Sequence, residues 1–187
     1  MDALMAALVL GVLCQLGGRT PWLAAILSDR FRPSVVIAAA VAAFAANYAL
    51  GALAGILIAP MLAPEARDLL LAMALILASF GISWRRKAPD RLAGWQLGAA
   101  GTSLLGLSIM AFGDGMQFIA VALAARSALP WLAAVGATLG ALAVTMPAIA
   151  IGEARWIALP LRAMALTAGG ILLASGAVIA LKSIALI

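Results

Sequence analysis

Apolar residues run along this chain in long unbroken blocks, without the alternation that marks a half-buried strand. Six blocks stand out, at about 3–27, 34–58, 67–84, 93–125, 131–151 and 162–184. Each is long enough to carry an α-helix across a bilayer, which takes about 20 residues. The gaps between them hold turn chemistry and charge. Ser28-Asp29-Arg30-Phe31-Arg32-Pro33 closes the first block, Pro60 to Pro64 the second, and Arg85 to Arg91 the third. Pro130 opens the fifth and Pro160 precedes the sixth, where a missing N–H costs least. The pattern predicts an all-α fold: a polytopic membrane bundle of about six transmembrane helices, with residues 1–187 forming one integral membrane domain.

Composition sharpens this. The chain is 66% hydrophobic and 10% charged, far from a soluble domain. The net charge of +5 does not point to nucleic acid, because Lys and Arg sit mostly in short loops. Suppose the N-terminus lies outside. Arg30, Arg32, Arg85, Arg86, Lys87, Arg91, Arg155 and Arg162 then fall inside, against Arg67, Arg126 and Lys182 outside. This asymmetry predicts both termini outside. The start of the chain lacks the basic n-region of a signal peptide, so the first helix is expected to be retained. The chain has no histidine, which excludes His-ligated metals and Ser–His catalysis. Its single cysteine, Cys14, excludes an intrachain disulfide and reads as packing.

Two polar interruptions lie 96 positions apart: Gln15-Leu16-Gly17-Gly18-Arg19-Thr20, and Ala111-Phe112-Gly113-Asp114-Gly115-Met116-Gln117. Each is followed by an apolar, alanine-rich run. At the same offset, Pro33 falls near Pro130, and Ile76-Leu77-Ala78-Ser79 falls on Leu172-Leu173-Ala174-Ser175. The chain therefore reads as two three-helix repeats, about 1–85 and 93–187, joined by a basic loop at about 85–92. Three helices per repeat is odd, so the second enters the membrane from the opposite side. Such inverted repeats recur in secondary transporters, with the cargo site at the repeat interface.

The interruptions carry the candidate chemistry. Gly17-Gly18 and Gly113-x-Gly115 permit either close helix packing, the preferred reading, or an unwound turn. Asp114 is the carboxylate that hydropathy places deep in the membrane, and Arg19 is the deep cation. Ions at that depth are expensive and find partners, so a direct or water-bridged Arg19–Asp114 pair is expected. The other reading has Arg19 snorkelling to an interface. Gln15, Thr20 and Gln117 complete the site, and Asn47 reads either as a further member of it or as a bridge between helices.

These paired motifs resemble the transmembrane protein 165 family, the Gdt-type cation exchangers of Golgi, plastid and bacterial membranes. That family carries Glu-x-Gly-Asp-(Lys/Arg)-(Ser/Thr) once per three-helix repeat. Gly17, Arg19 and Thr20 match the first motif, with Leu23-Ala24-Ala25-Ile26-Leu27 after it. Gly113 and Asp114 match the second, followed by Gln117 and Ala122-Leu123-Ala124-Ala125. The resemblance covers almost the whole chain. It implies exchange of Mn²⁺ or Ca²⁺ for protons, with the acidic motif residues forming the cation site and no cofactor.

This chain departs from that pattern. Gln15 stands in place of the first Glu, Gly18 in place of the first Asp and Ala111 in place of the second Glu. Gly115 and Met116 replace the basic and hydroxyl residues. Asp114 alone is left as a metal ligand. The transport site expected from the two motifs is thus Gln15, Gly17, Gly18, Arg19, Thr20, Gly113, Asp114, Gly115 and Gln117. Hard divalent ions want several oxygen ligands. At an effective dielectric of about 20, a charge about 4 Å away contributes about 4 kcal/mol, so losing three carboxylates weakens divalent binding steeply. The leading expectation is a membrane transporter of this family, in a bacterial inner membrane, with altered cargo. Two alternatives stay open: a lysine-exporter-like small-solute exporter, and a non-transporting scaffold that kept the fold. An enzyme is not expected, since one deep aspartate makes no dyad and no phosphate-binding motif is present. Lipid is the expected partner, and the sequence leaves a homo-oligomer open.

Overall fold

The computed structural model describes residues 2–84 and 88–183. Arg85, Arg86 and Lys87, on which much of the charge asymmetry rests, lie outside the described residues. Eight α-helices follow in chain order: α1 Asp2–Gln15, α2 Arg19–Arg30, α3 Pro33–Ile58, α4 Pro64–Ser83, α5 Gly98–Ala111, α6 Gly115–Arg126, α7 Trp131–Ala158 and α8 Leu161–Ser183.

The expected helices at 3–27 and 93–125 are each broken in two. The axes of α1 and α2 meet at 69°, and those of α5 and α6 at 67°. Each pair has 14 and then 12 residues. At about 1.5 Å per residue, two equally tilted halves advance roughly 32 Å, close to the ~30 Å hydrocarbon thickness. Taken as one span each, the broken pairs join α3, α4, α7 and α8 to give six spans among the described residues. The chain is an integral membrane protein.

Other boundaries move for local reasons. The fourth block becomes helical at Gly98 instead of 93, after an irregular stretch. Helix α4 starts at Pro64, a residue suited to the first turn. The fifth block, expected to end at 151, has its break there: Gly152 (φ 75°) interrupts α7 before the helix resumes.

Packing follows an exchange of partners between the repeats. α1 and α2 lie on α7, while α5 and α6 lie on α3; α3 meets α7, and α4 meets α8. A rotation that swaps the two repeats maps these contacts onto one another, as an inverted repeat requires. Small residues permit the approach. A Cβ at Gly140 would collide with the Leu8 carbonyl of α1, and one at Gly55 with the Val121 carbonyl of α6. The halves are not identical: α4 also leans on α6, whereas α8 makes its side contact with α1.

Candidate functional site

Both interruptions are built the same way from backbone. Helix α1 ends at Gln15 and α5 at Ala111. Gly17 (φ 69°) and Gly113 (φ 73°) then take the left-handed conformation that side chains resist. The next residue is extended and serves as N-cap: Gly18 for α2 (φ −69°, ψ 158°) and Asp114 for α6 (φ −71°, ψ 164°). The breaks are unwound turns and are close-packed as well: Gly17 lies against Leu161 and Ala165, and Gly115 against Ala78. The bend into α2 or α6 passes through a residue at positive φ, and glycine supplies it without strain.

The caps differ. The Asp114 carboxylate accepts from Gln117 N–H at 2.8 Å, a normal aspartate cap. Gly18 has no side chain to offer, so the N-terminus of α2 carries no side-chain cap.

The two breaks touch through Gln15. It is 2% exposed, and its Nε2 donates to Asp114 Oδ2 at 3.3 Å and to Tyr48 Oη at 3.2 Å. Tyr48 is fully buried on α3 and stacks on Phe44. It was not among the residues expected from sequence. The signal available was that it is the chain's single tyrosine, a hydroxyl within an apolar span.

A cavity of about 720 Å³ lies between the breaks. Gln15, Gly18, Arg19, Thr20, Gly113, Asp114 and Gly115 line it. The rest of the wall is largely apolar, running along α4 from Ala74 to Trp84 and closed by Met110, Phe112, Met116 and Phe118. Two expected site residues lie elsewhere. Gly17 backs onto Leu161 and Ala165 of the last helix. Gln117 secures the second break: its Nε2 donates to the Asn47 carbonyl at 3.2 Å, and its Oε1 accepts from Gly113 N–H. Asn47 in turn donates to the Ala43 and Ser108 carbonyls, joining α3 to α5 as expected.

The direct Arg19–Asp114 pair does not form. Among the described residues the ion pairs are Arg91–Glu153 and Arg126–Asp68, both towards helix ends. The reason is local: one oxygen of Asp114 is held by the start of its own helix and the other by Gln15. Arg19 lines the same cavity, and its Nε is buried with no hydrogen-bond partner.

Among the described residues no group of three or more His, Cys, Asp or Glu side chains could hold a metal ion. Asp114, Gln15, Thr20 and backbone carbonyls are the oxygen ligands within reach of the cavity. Among the described residues lining it, one carboxylate and one guanidinium leave no net negative charge.

A second polar cluster lies at the far end of α2. Asp29 accepts from Glu153 N–H at 3.0 Å, just after the Gly152 break. Arg91 bonds the Glu153 carboxylate at 2.8 Å, and Arg30 donates to the Leu92 carbonyl at 3.1 Å. These contacts tie α2, α7 and the segment before α5 together.

The chain matches the family model described as divalent cation/proton antiporter GDT1 over residues 3–90 and 99–185. It is also 30% identical over 160 residues to a candidate manganese exporter of Vibrio cholerae serotype O1, covering 82% of this chain and 78% of that one. No solved structure matches significantly.

Proposed function

The chain belongs to the divalent cation/proton antiporter GDT1 family, and we propose that it is an alternating-access transporter whose cargo differs from a hard divalent ion. The observation that carries this reading is the Gln15–Asp114 contact at the wall of the central cavity. Each repeat contributes one partner and one helix break. A rearrangement of one repeat against the other therefore reshapes the site itself, which is how inverted-repeat transporters move cargo.

Asp114 is the group that binds cargo and trades it for a proton. Gln117 N–H and the Gln15 amide both donate to the carboxylate at the cavity wall. The glutamine limits what can bind. Where the family motif has a second carboxylate, this chain presents an N–H donor to Asp114. The amide thus occupies an oxygen that would otherwise face a metal. Arg19 adds a positive charge to the same cavity wall, which opposes a divalent ion further. Mn²⁺ and Ca²⁺ are expected to bind weakly.

The arrangement fits one half of a transport cycle. The cavity runs along α4 to Trp84 at its C-terminal end. Towards the opposite end α4 is pressed on α6, with Gly115 against Ala78 and Arg126 bonded to Asp68 at 2.7 Å. With both termini outside a bacterial inner membrane, this is an inward-open form. A scaffold that had lost transport would have no use for an open cavity around its costliest buried groups.

The test is flux in proteoliposomes. Mn²⁺, Ca²⁺ and amino-acid cargoes are offered in turn while internal pH is followed, with wild type compared to Asp114→Asn. Cargo-driven proton movement in wild type, absent in the variant, is expected. Equal flux in both, or none with any cargo, contradicts the proposal.

A further inference from the structure

A second cavity, of about 630 Å³, lies at the face that carries the N-terminus. Asp2 and Leu10 of α1, Leu71 and Leu75 of α4, and Leu123 and Arg126 of α6 line it. The same three helices line the central cavity further along their lengths, through Cys14, Ala78 and Met116. The two linings approach closely. Leu75 of one lies beside Ala74 of the other, Leu10 lies four residues from Cys14, and Leu123 five from Phe118. At about 1.5 Å per residue, the septum between the cavities is about 6–8 Å thick. Leu75, Met116 and Ile119 fill it, all deeply buried in one apolar core.

Helices α4 and α6 run antiparallel along this septum and are sealed at two points. At the central cavity, a Cβ on Gly115 would lie 2.8 Å from the Ala78 methyl, so the two backbones are close there. At the N-terminal face, Arg126 Nε donates to Asp68 Oδ1 at 2.7 Å. Residues 68 to 78 of α4 and 115 to 126 of α6 span the seam, about 15–17 Å on each helix, so the two seals keep one register. The seam breaks the symmetry of the repeats. Exchanging them would turn α4 on α6 into α8 on α2, yet α8 makes its side contact with α1. At the offset of 96, Arg126 corresponds to Arg30, which donates to the Leu92 carbonyl at 3.1 Å, and Asp68 corresponds to Met164. A site between two inverted repeats opens to one face only when their contacts differ, and the extra contact lies on the shut side.

We propose that the α4–α6 seam is the gate of the cargo path towards the N-terminal face, that the Asp68–Arg126 pair latches it, and that the second cavity is the vestibule into which it opens. This deepens the transporter reading above and rests on it. The pair suits a latch that opens in every cycle. Its side chains are 36% exposed at Arg126 and 41% at Asp68, so water replaces the lost partner, and an ion pair so placed is weak. Arg126 also lies in the last turn of α6, where the helix dipole favours a cation whether or not Asp68 is beside it. Leu75, Met116 and Ile119 carry no side-chain donors, so parting α4 from α6 at the septum breaks apolar contacts and joins the two cavities.

The experiment uses the full chain with Cys14→Ala, in sealed vesicles of phosphatidylethanolamine and phosphatidylglycerol of known orientation. Met110→Cys, in the wall of the central cavity, reports access of a membrane-impermeant maleimide from either face. Adding Asp68→Asn with Arg126→Gln is expected to raise the labelling rate from the N-terminal face about twofold to fivefold, the population shift that an exposed ion pair supplies. The exchanged pair, Asp68→Arg with Arg126→Asp, is expected to bring the rate back towards its starting value. Separately, without the reporter, Asp68→Cys and Arg126→Cys are bridged by a short bis-methanethiosulfonate, and bridging is checked by mass spectrometry. Exchange of radiolabelled Mn²⁺, Ca²⁺ and leucine is measured before bridging, after it and after reduction. Bridging is expected to stop whatever exchange the unbridged protein shows, and reductant to restore it. Each single-cysteine variant, treated alike, is expected to keep its exchange. Size-exclusion profiles and melting temperatures check that every variant is folded. Exchange that continues in the bridged protein overturns the gate and leaves the transporter reading standing. Labelling from the N-terminal face that is unchanged by Asp68→Asn with Arg126→Gln overturns the latch. No exchange of any of the three cargoes before bridging overturns both readings.

Discussion

The two helix breaks share a backbone and differ in chemistry. Gly17 and Gly113 have nearly the same φ, and the caps Gly18 and Asp114 nearly the same φ and ψ. Yet the first break presents a buried amide, an uncapped helix start and a guanidinium, while the second presents a capped helix start and a carboxylate. The turn depends on one glycine at positive φ, so the residues around it are open to replacement without loss of the break. The site's architecture and its charge are separately encoded. That is how a chain can belong to a divalent-cation exchanger family while keeping one of the four carboxylates in the family's paired motif.

The largest expected effect comes from the charge of the second break. Asparagine caps a helix about as well as aspartate, so Asp114→Asn leaves the fold intact. Cargo flux should nevertheless fall about tenfold or more, the loss expected for a charged contact. A full-rate variant with an unchanged melting temperature would separate Asp114 from transport. Next comes making the first break resemble the family motif. Gln15→Glu with Gly18→Asp adds two carboxylates to the cavity wall and should tighten Mn²⁺ binding about tenfold or more, read by calorimetry in detergent. A Cβ at Gly18 lies 3.0 Å from the Gln15 carbonyl, so the capping aspartate needs a small local shift. Unchanged affinity would place the metal-binding potential of this fold elsewhere.

The glycines give a smaller effect, confined to stability. Alanine at either position adopts a left-handed conformation costing about 1–2 kcal/mol. At Gly113 the added methyl meets open space. At Gly17 it lies 2.7 Å from the Leu161 carbonyl and 2.9 Å from the Ala165 methyl. Gly17→Ala should therefore lower the melting temperature more than Gly113→Ala; the reverse order would contradict the packing of the first break on α8. Smallest is Tyr48→Phe, which removes a hydrogen-bond partner of Gln15 without changing shape. About 1 kcal/mol of stability is expected to be lost, and a neutral result would mean Gln15 finds another partner.

Much of this was legible in the sequence, for particular reasons. Long apolar blocks and the proline positions gave the spans, because hydrocarbon forces backbone groups into helices. The offset of 96 gave the pairing of the two breaks, since each repeat carries its own copy of the turn. What the sequence left open was the turn itself: the glycines permit close helix packing as well as an unwound turn, and left-handed backbone leaves no trace in hydrophobicity. Asp114 and Arg19 stood out as charges inside apolar runs, but their contacts were not foreseeable. An N-cap bond to Gln117 competes with a salt bridge, and that competition exists only once α6 is known to start at Gly115. Tyr48 and Gln15 meet across 33 residues of chain, a contact that only the packing of α3 on the breaks creates.

The central claim is that both breaks line one cavity entered from the α4 C-terminal side. Side-specific labelling tests it most directly. Asp114→Cys in a Cys14→Ala background, in sealed vesicles of known orientation, is exposed to a membrane-impermeant maleimide from either face. Labelling is expected from the face that carries Trp84 and not from the other. Labelling from neither face, in a folded variant that reacts once solubilised, would contradict the account.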